Sequence, residues 1–112
     1  MSARLPTHLE VTGLIRAVEA EGGFAAVLSR GERDAGTILL VLTRHGAEAV
    51  AYERLPQVDG SRRWTQTRRQ EADEPTQFSD YLARRSSQDP DLWVVEIDVR
   101  DPAGFAARLN DG

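Results

Sequence analysis

The chain has 112 residues, a formal net charge of -4 and no cysteine. The length suits one domain, and the missing cysteine removes disulfides, thiolate metal sites and a cysteine nucleophile. All 14 basic residues are arginine, which removes Schiff-base lysine chemistry.

The first element reads as a helix. Thr7 and Glu10 match a T-x-x-E capping box with Thr7 as N-cap. Val11, Leu14, Ile15 and Val18 then recur at helical spacing, and Gly22-Gly23 ends the run. A first strand follows over 24–29, with Phe24, Ala26 and Leu28 on one face. The glycine-flanked stretch 30–36 reads as a hairpin loop. The second strand, 37–43, is continuously aliphatic, which predicts burial on both faces and a central place. A third strand spans 49–55, and Val58-Asp59-Gly60-Ser61 turns the chain. The fourth strand, 62–69, is polar apart from Trp64, as suits a sheet edge. Pro75 opens a second helix whose apolar face is Phe78, Tyr81 and Leu82. Pro90 cannot extend that helix, and a fifth strand runs over 92–99, with Trp93, Val95, Ile97 and Val99 on one face. A short helix over 102–109 closes the chain.

The expected order is αββββα-β: an α+β, two-layer domain with a mostly antiparallel five-stranded sheet and two helices on one face. The first four strands are expected to form a meander. The fifth is too apolar for an exposed edge, so it is internal or its edge is covered in a homodimer. One domain should span 1–112, with 110–112 fraying. The longest aliphatic run, Ile38 to Leu42, falls far short of the about 20 residues of a membrane helix. The polar N-terminus does not read as a signal peptide. A soluble, cytoplasmic protein with no membrane partner is expected.

Three segments carry a resemblance. They are Arg30-Gly31-Glu32-Arg33-Asp34-Ala35-Gly36 before an aliphatic strand, Arg62-Arg63-Trp64-Thr65 after a turn, and Asp89-Pro90-Asp91-Leu92-Trp93-Val94-Val95-Glu96. The chain resembles a family of short, uncharacterised alphaproteobacterial proteins, catalogued as a domain of unknown function. The resemblance implies a bacterial, single-domain protein and carries no catalytic residue with it.

The residues themselves exclude much chemistry. There is no P-loop, G-x-G-x-x-G, G-x-S-x-G or H-E-x-x-H pattern. The two histidines, His8 and His45, stand in different elements. Neither a metal nor a cofactor is expected. Three loop carboxylates remain as candidates. Asp34 stands between glycines that could cradle an anion, and Asp89 and Asp91 flank Pro90. As a group they would serve a carboxylate- or metal-dependent hydrolase; singly, Asp34 and Asp89 are turn residues. Glu96 and Asp98 read as a solvated strand face.

The charge is uneven. Residues 54–69 carry five arginines and one acid, whereas 71–98 carry eight acids and two arginines. Arg62, Arg63, Trp64, Arg68 and Arg69 therefore form the sharpest candidate surface. The reading is a non-enzymatic interaction or regulatory module that binds an unidentified protein partner through these residues. The alternative is an RNA or single-stranded nucleic-acid binder, with Trp64 stacking a base. The bland reading is an edge strand guarded by arginines, with Trp64 in the core.

Overall fold

The two most apolar stretches of the chain pair with each other. β2 (Ile38–Arg44) and β5 (Trp93–Asp98) run parallel, with Leu40 beside Val95 and Leu42 beside Ile97. They form the centre of a five-stranded sheet of order β1-β5-β2-β3-β4, where β1 is Phe24–Ser29, β3 is Ala47–Pro56 and β4 is Arg62–Arg69. Every other neighbouring pair is antiparallel. The helices are α1 (Thr7–Ala20), α2 (Pro75–Gln88) and α3 (Pro102–Asp111). This is a computed structural model, and it describes residues 5–111.

The α+β class and the mostly antiparallel sheet match expectation, and β5 takes the internal place its composition demands. The four-strand meander does not form, because β5 separates β1 from β2. The stretch 30–36 is not a tight hairpin loop but a crossing over the head of β5. There the Glu32 N–H donates to the Asp91 carbonyl (3.1 Å) and the Trp93 N–H to the Thr37 carbonyl (2.8 Å).

The helices also divide differently. Two helices do share one face, but they are α1 and α3, whose Val11, Val18 and Phe105 cover Leu40, Leu42, Val95 and Ile97. α2 covers the other face, with Phe78 over Leu39, Val41 and Val94. The result is three layers rather than two. The reason lies in β2 and β5, which are apolar on both faces and need cover on both. Each fully buried aliphatic side chain here is worth about 1.5–3 kcal/mol.

Two local expectations are corrected. Thr7 is not the N-cap of α1; Pro6 holds that place. Thr7 is buried, and its hydroxyl donates to the Gly36 carbonyl (2.8 Å), tying α1 to the crossing loop. Glu10 does not close a capping box but turns towards Arg54 on β3. At the other end, Asn110 lies within α3, bonded to β4.

The β2–β3 turn needs a special backbone. His45 (φ 54) and Gly46 (φ 73) are both left-handed, as a two-residue type I′ hairpin requires. The Asp98 carboxylate accepts both of their N–H groups, at 2.9 and 2.6 Å. A residue that reads as a solvated strand carboxylate is thus the clamp on a strained turn.

Candidate functional site

The arginine strand comes first. β4 is a sheet edge, as its polarity suggested, but it does not alternate evenly. Ala51 pairs with Arg68 and Tyr52 with Gln66, so Thr67 is an extra residue. This bulge reverses which side of the sheet the following residues take. Arg62, Trp64 and Arg69 lie towards α1 and α3, and Arg63 and Arg68 towards α2. The five candidate residues therefore share no single face.

Trp64 is core. It is 9% exposed and belongs to the α1/α3 cluster. The Arg54 guanidinium lies over its ring, 4.8 Å from the centroid. The same guanidinium donates twice to Glu10 on α1, at 2.6 and 3.1 Å. Asn110 guards the backbone edge: its Oδ1 accepts the Trp64 N–H (2.7 Å) and its Nδ2 donates to the Trp64 carbonyl (3.0 Å). No base can stack on this indole while the ring faces the core. Arg62 folds back to donate to the Arg54 carbonyl (3.1 Å). Arg68 stacks on Tyr81 of α2, 4.5 Å from its centroid. Arg63 and Arg69 remain exposed.

Beneath Arg68 lies a fixed ion pair. Arg85 donates to Glu53 through both terminal nitrogens, at 3.0 and 2.8 Å, and to the Tyr81 hydroxyl at 3.0 Å. The Arg85 hydrogen bond holds the Glu53 carboxyl below its ordinary range, against the opposing effect of burial, and raises the Arg85 guanidinium in turn.

The loop carboxylates come next. The crossing loop and the Asp-Pro-Asp turn do meet, but through backbone. A Cβ at either Gly31 or Gly36 would collide with the Asp91 carbonyl, so glycine is what allows the close approach. The Trp93 indole N–H donates to the Glu32 carbonyl (2.7 Å). Glu32, not Asp34, caps the loop's own turn: its carboxylate accepts the N–H groups of Ala35 (2.5 Å) and Asp34 (2.7 Å), which lowers its pKa. Asp34 is exposed, with loose contacts to His8 (4.0 Å) and Arg33 (3.9 Å). Asp89 accepts the Asp91 N–H (3.0 Å), the turn role its place before proline suggested. Among the described residues, no group of three or more His, Cys, Asp or Glu side chains could hold a metal ion. Two of the three segments that carry the family resemblance, 30–36 and 89–96, therefore form a structural lock at one end of the sheet.

A cleft of about 490 Å³ opens at the opposite end, lined in part by Phe24, His45 and Arg100. Its other charged groups are engaged. Asp98 clamps the turn, Asp101 caps α3 by accepting the Gly104 N–H (3.1 Å), and Arg108 pairs with Glu21 (2.7 Å).

A further surface feature is β1, the other sheet edge. Phe24 is 66% exposed, Leu28 51% and Val27 37%. The strand holds neither a charge nor a proline, the usual guards of an edge. The expected meander sets β1 beside β2 and leaves the place of the fifth strand open, so it does not single out β1 as an exposed apolar edge.

A family model described as "Protein of unknown function (DUF1491)" matches residues 5–107. The chain belongs to the DUF1491 family. A crystal structure of a DUF1491 family protein from Caulobacter crescentus CB15 is 35% identical, with 88% of this chain and 92% of that one covered and a TM-score of 0.75. An NMR structure of a DUF1491 family protein from the same bacterium is 34% identical, covers 94% of both chains and has a TM-score of 0.73. A solution structure of a protein from A. tumefaciens is 32% identical over 88% of this chain and 89% of that chain, with a TM-score of 0.68. No curated protein matches the chain. The DUF1491 fold is thus shared across these sources, and the family description assigns it no activity. No helix among the described residues is long and apolar enough to cross a membrane.

Proposed function

We propose that this chain is a non-enzymatic interaction module that docks a protein partner along the outer edge of β1. One observation carries the reading: β1 is an uncharged, proline-free edge with Phe24 two-thirds exposed. Such an edge offers a row of unpaired N–H and C=O groups to an incoming strand. Apolar side chains beside that row add affinity. The partner that fits is an extended, uncharged segment of protein. The carboxylate candidates support no competing chemistry, since Asp34 is solvated and Asp89 is spent on its turn.

The test is site-specific photocrosslinking in cells. A benzophenone amino acid replaces Phe24 in one variant and Arg63, on the opposite edge, in another. The expected result is discrete protein adducts from position 24 and none from position 63. Adducts from position 63 alone would move the docking surface back to the arginine strand and end this reading.

A further inference from the structure

We infer that the occupant of the β1 edge is a second copy of this chain, paired antiparallel about a two-fold axis at Ala26, so that two five-stranded sheets join into one. The inference rests on the interaction reading above and names its partner.

Four observations carry it. First, β1 is neutral along its whole length. Two copies can lie side by side without setting like charges opposite each other, which would destabilise the pair. The arginines of β4 would do just that, and Asn110 already occupies the backbone edge there.

Second, the strand is self-complementary in its facing. Ala25 and Val27 pair with Ile97 and Val95, on the α1/α3 side; Phe24 and Ala26 pair with Asp98 and Glu96, on the α2 side. Residues directly opposite in a sheet point to the same side. A register centred on Ala26 sets Ala25 opposite the partner's Val27 and Phe24 opposite the partner's Leu28. Each helix layer then continues on its own side of the joined sheet.

Third, the ends of the strand carry opposite charges. The same register sets the Arg30 end of one strand beside the partner's Glu21 end, although within its own chain Glu21 is paired with Arg108 and Arg30 lies over Trp93. Symmetry repeats that approach at the other end, so attraction between the two ends, rather than a direct ion pair, favours this register. Fourth, the register shift between Val27 and Ser29 on the β5 side shortens the regular part of β1, which keeps the contact to one short strand.

A contact one strand long falls at the small end of specific interfaces, below about 1,200 Å² in total. The dimer is therefore weak, and its population rises with concentration. Sedimentation velocity on the purified full chain, in a series up to about 1 mM, tests it. The wild type should pass from monomer to dimer within the series. Phe24→Lys/Leu28→Lys should self-associate at least tenfold more weakly, while Arg63→Glu, on the far edge, dimerises as the wild type does. Both β1 positions are exposed, so an unchanged thermal melt of the double variant shows that it folds. A wild type that stays monomeric throughout, or a double variant that dimerises normally, overturns the inference. A monomeric wild type whose position 24 still crosslinks to a different protein leaves the interaction reading standing and removes only the second copy.

Discussion

The two edges of the sheet are built from opposite chemistry. β4 carries four arginines, a bulge at Thr67, and an asparagine from α3 bonded to both the N–H and the carbonyl of Trp64. β1 carries no charge and leaves Phe24 in solvent. A neutral, apolar edge invites pairing, and charges, bulges and covering segments prevent it. The contrast teaches that the most conspicuous charge pattern in the sequence belongs to the edge least suited to bind a strand. Two of those four arginines are engaged within the molecule, Arg68 on Tyr81 and Arg62 on the Arg54 backbone.

Four measurements would break or sharpen that contrast. The largest effect is expected at Trp64. Truncation to alanine removes a buried ring that α1, β3 and α3 all depend on, and should destabilise the chain by about 3–5 kcal/mol in urea unfolding. A loss under about 1 kcal/mol would mean that the ring is not core and that the β4 edge is open after all.

Next is the ion pair beneath Arg68. Glu53→Gln should cost about 2 kcal/mol near neutral pH, the scale of a charged hydrogen bond. The pH dependence has a definite sign. The folded Glu53 carboxyl sits below its ordinary value of 4.5, so the unfolded chain takes up this proton first as pH falls. The pair's stabilisation is complete above about that value and is lost as pH falls through the lower folded value. Stability of Glu53→Gln should therefore fall less steeply than that of the wild type in this acid window. Parallel curves would show that the pair contributes nothing.

Asn110→Ala should cost about 1 kcal/mol and speed hydrogen exchange at the Trp64 amide, because that edge loses its cover. Unchanged exchange would remove Asn110 as an edge guard. The smallest effect is expected at β1, where Phe24→Lys should shift stability by no more than about 0.5 kcal/mol. A larger loss would make Phe24 a core residue and erase the difference between the edges.

Much of this architecture is legible in the sequence, and the failures have physical causes. All five strands are legible, some by alternation and β2 by its continuous aliphatic run, and β2 and β5 are too apolar for an exposed edge. Strand order was hidden, because a glycine-flanked loop such as 30–36 looks the same whether it closes a hairpin or crosses another strand. Its glycines answer to Asp91, about sixty residues away in sequence, and spacing cannot show that. The third layer was within reach: two strands apolar on both faces already require helices on both sides. The bulge at Thr67 was not, since β4 is polar on both faces and offers no hydrophobic period to break. Of the candidate site, Trp64 was read as either core or exposed, and only Arg54, Glu10 and Asn110 decide between the two. The β1 edge was missed together with the strand order, since exposure follows from which neighbours a strand has.

The parallel pairing of β2 with β5 also bears on how the chain is born. During synthesis β2, β3 and β4 leave the ribosome in order and can zip together locally. The strand that must enter between β1 and β2 emerges last of the five. Until then β2 has one bare flank, and β1 lacks its one neighbour, β5. Long-range pairing of this kind slows folding and prolongs the exposure of sticky intermediates. A nascent chain halted before Trp93 should therefore expose the aliphatic centre of its own sheet, which makes β5 the strand that renders the others safe from aggregation.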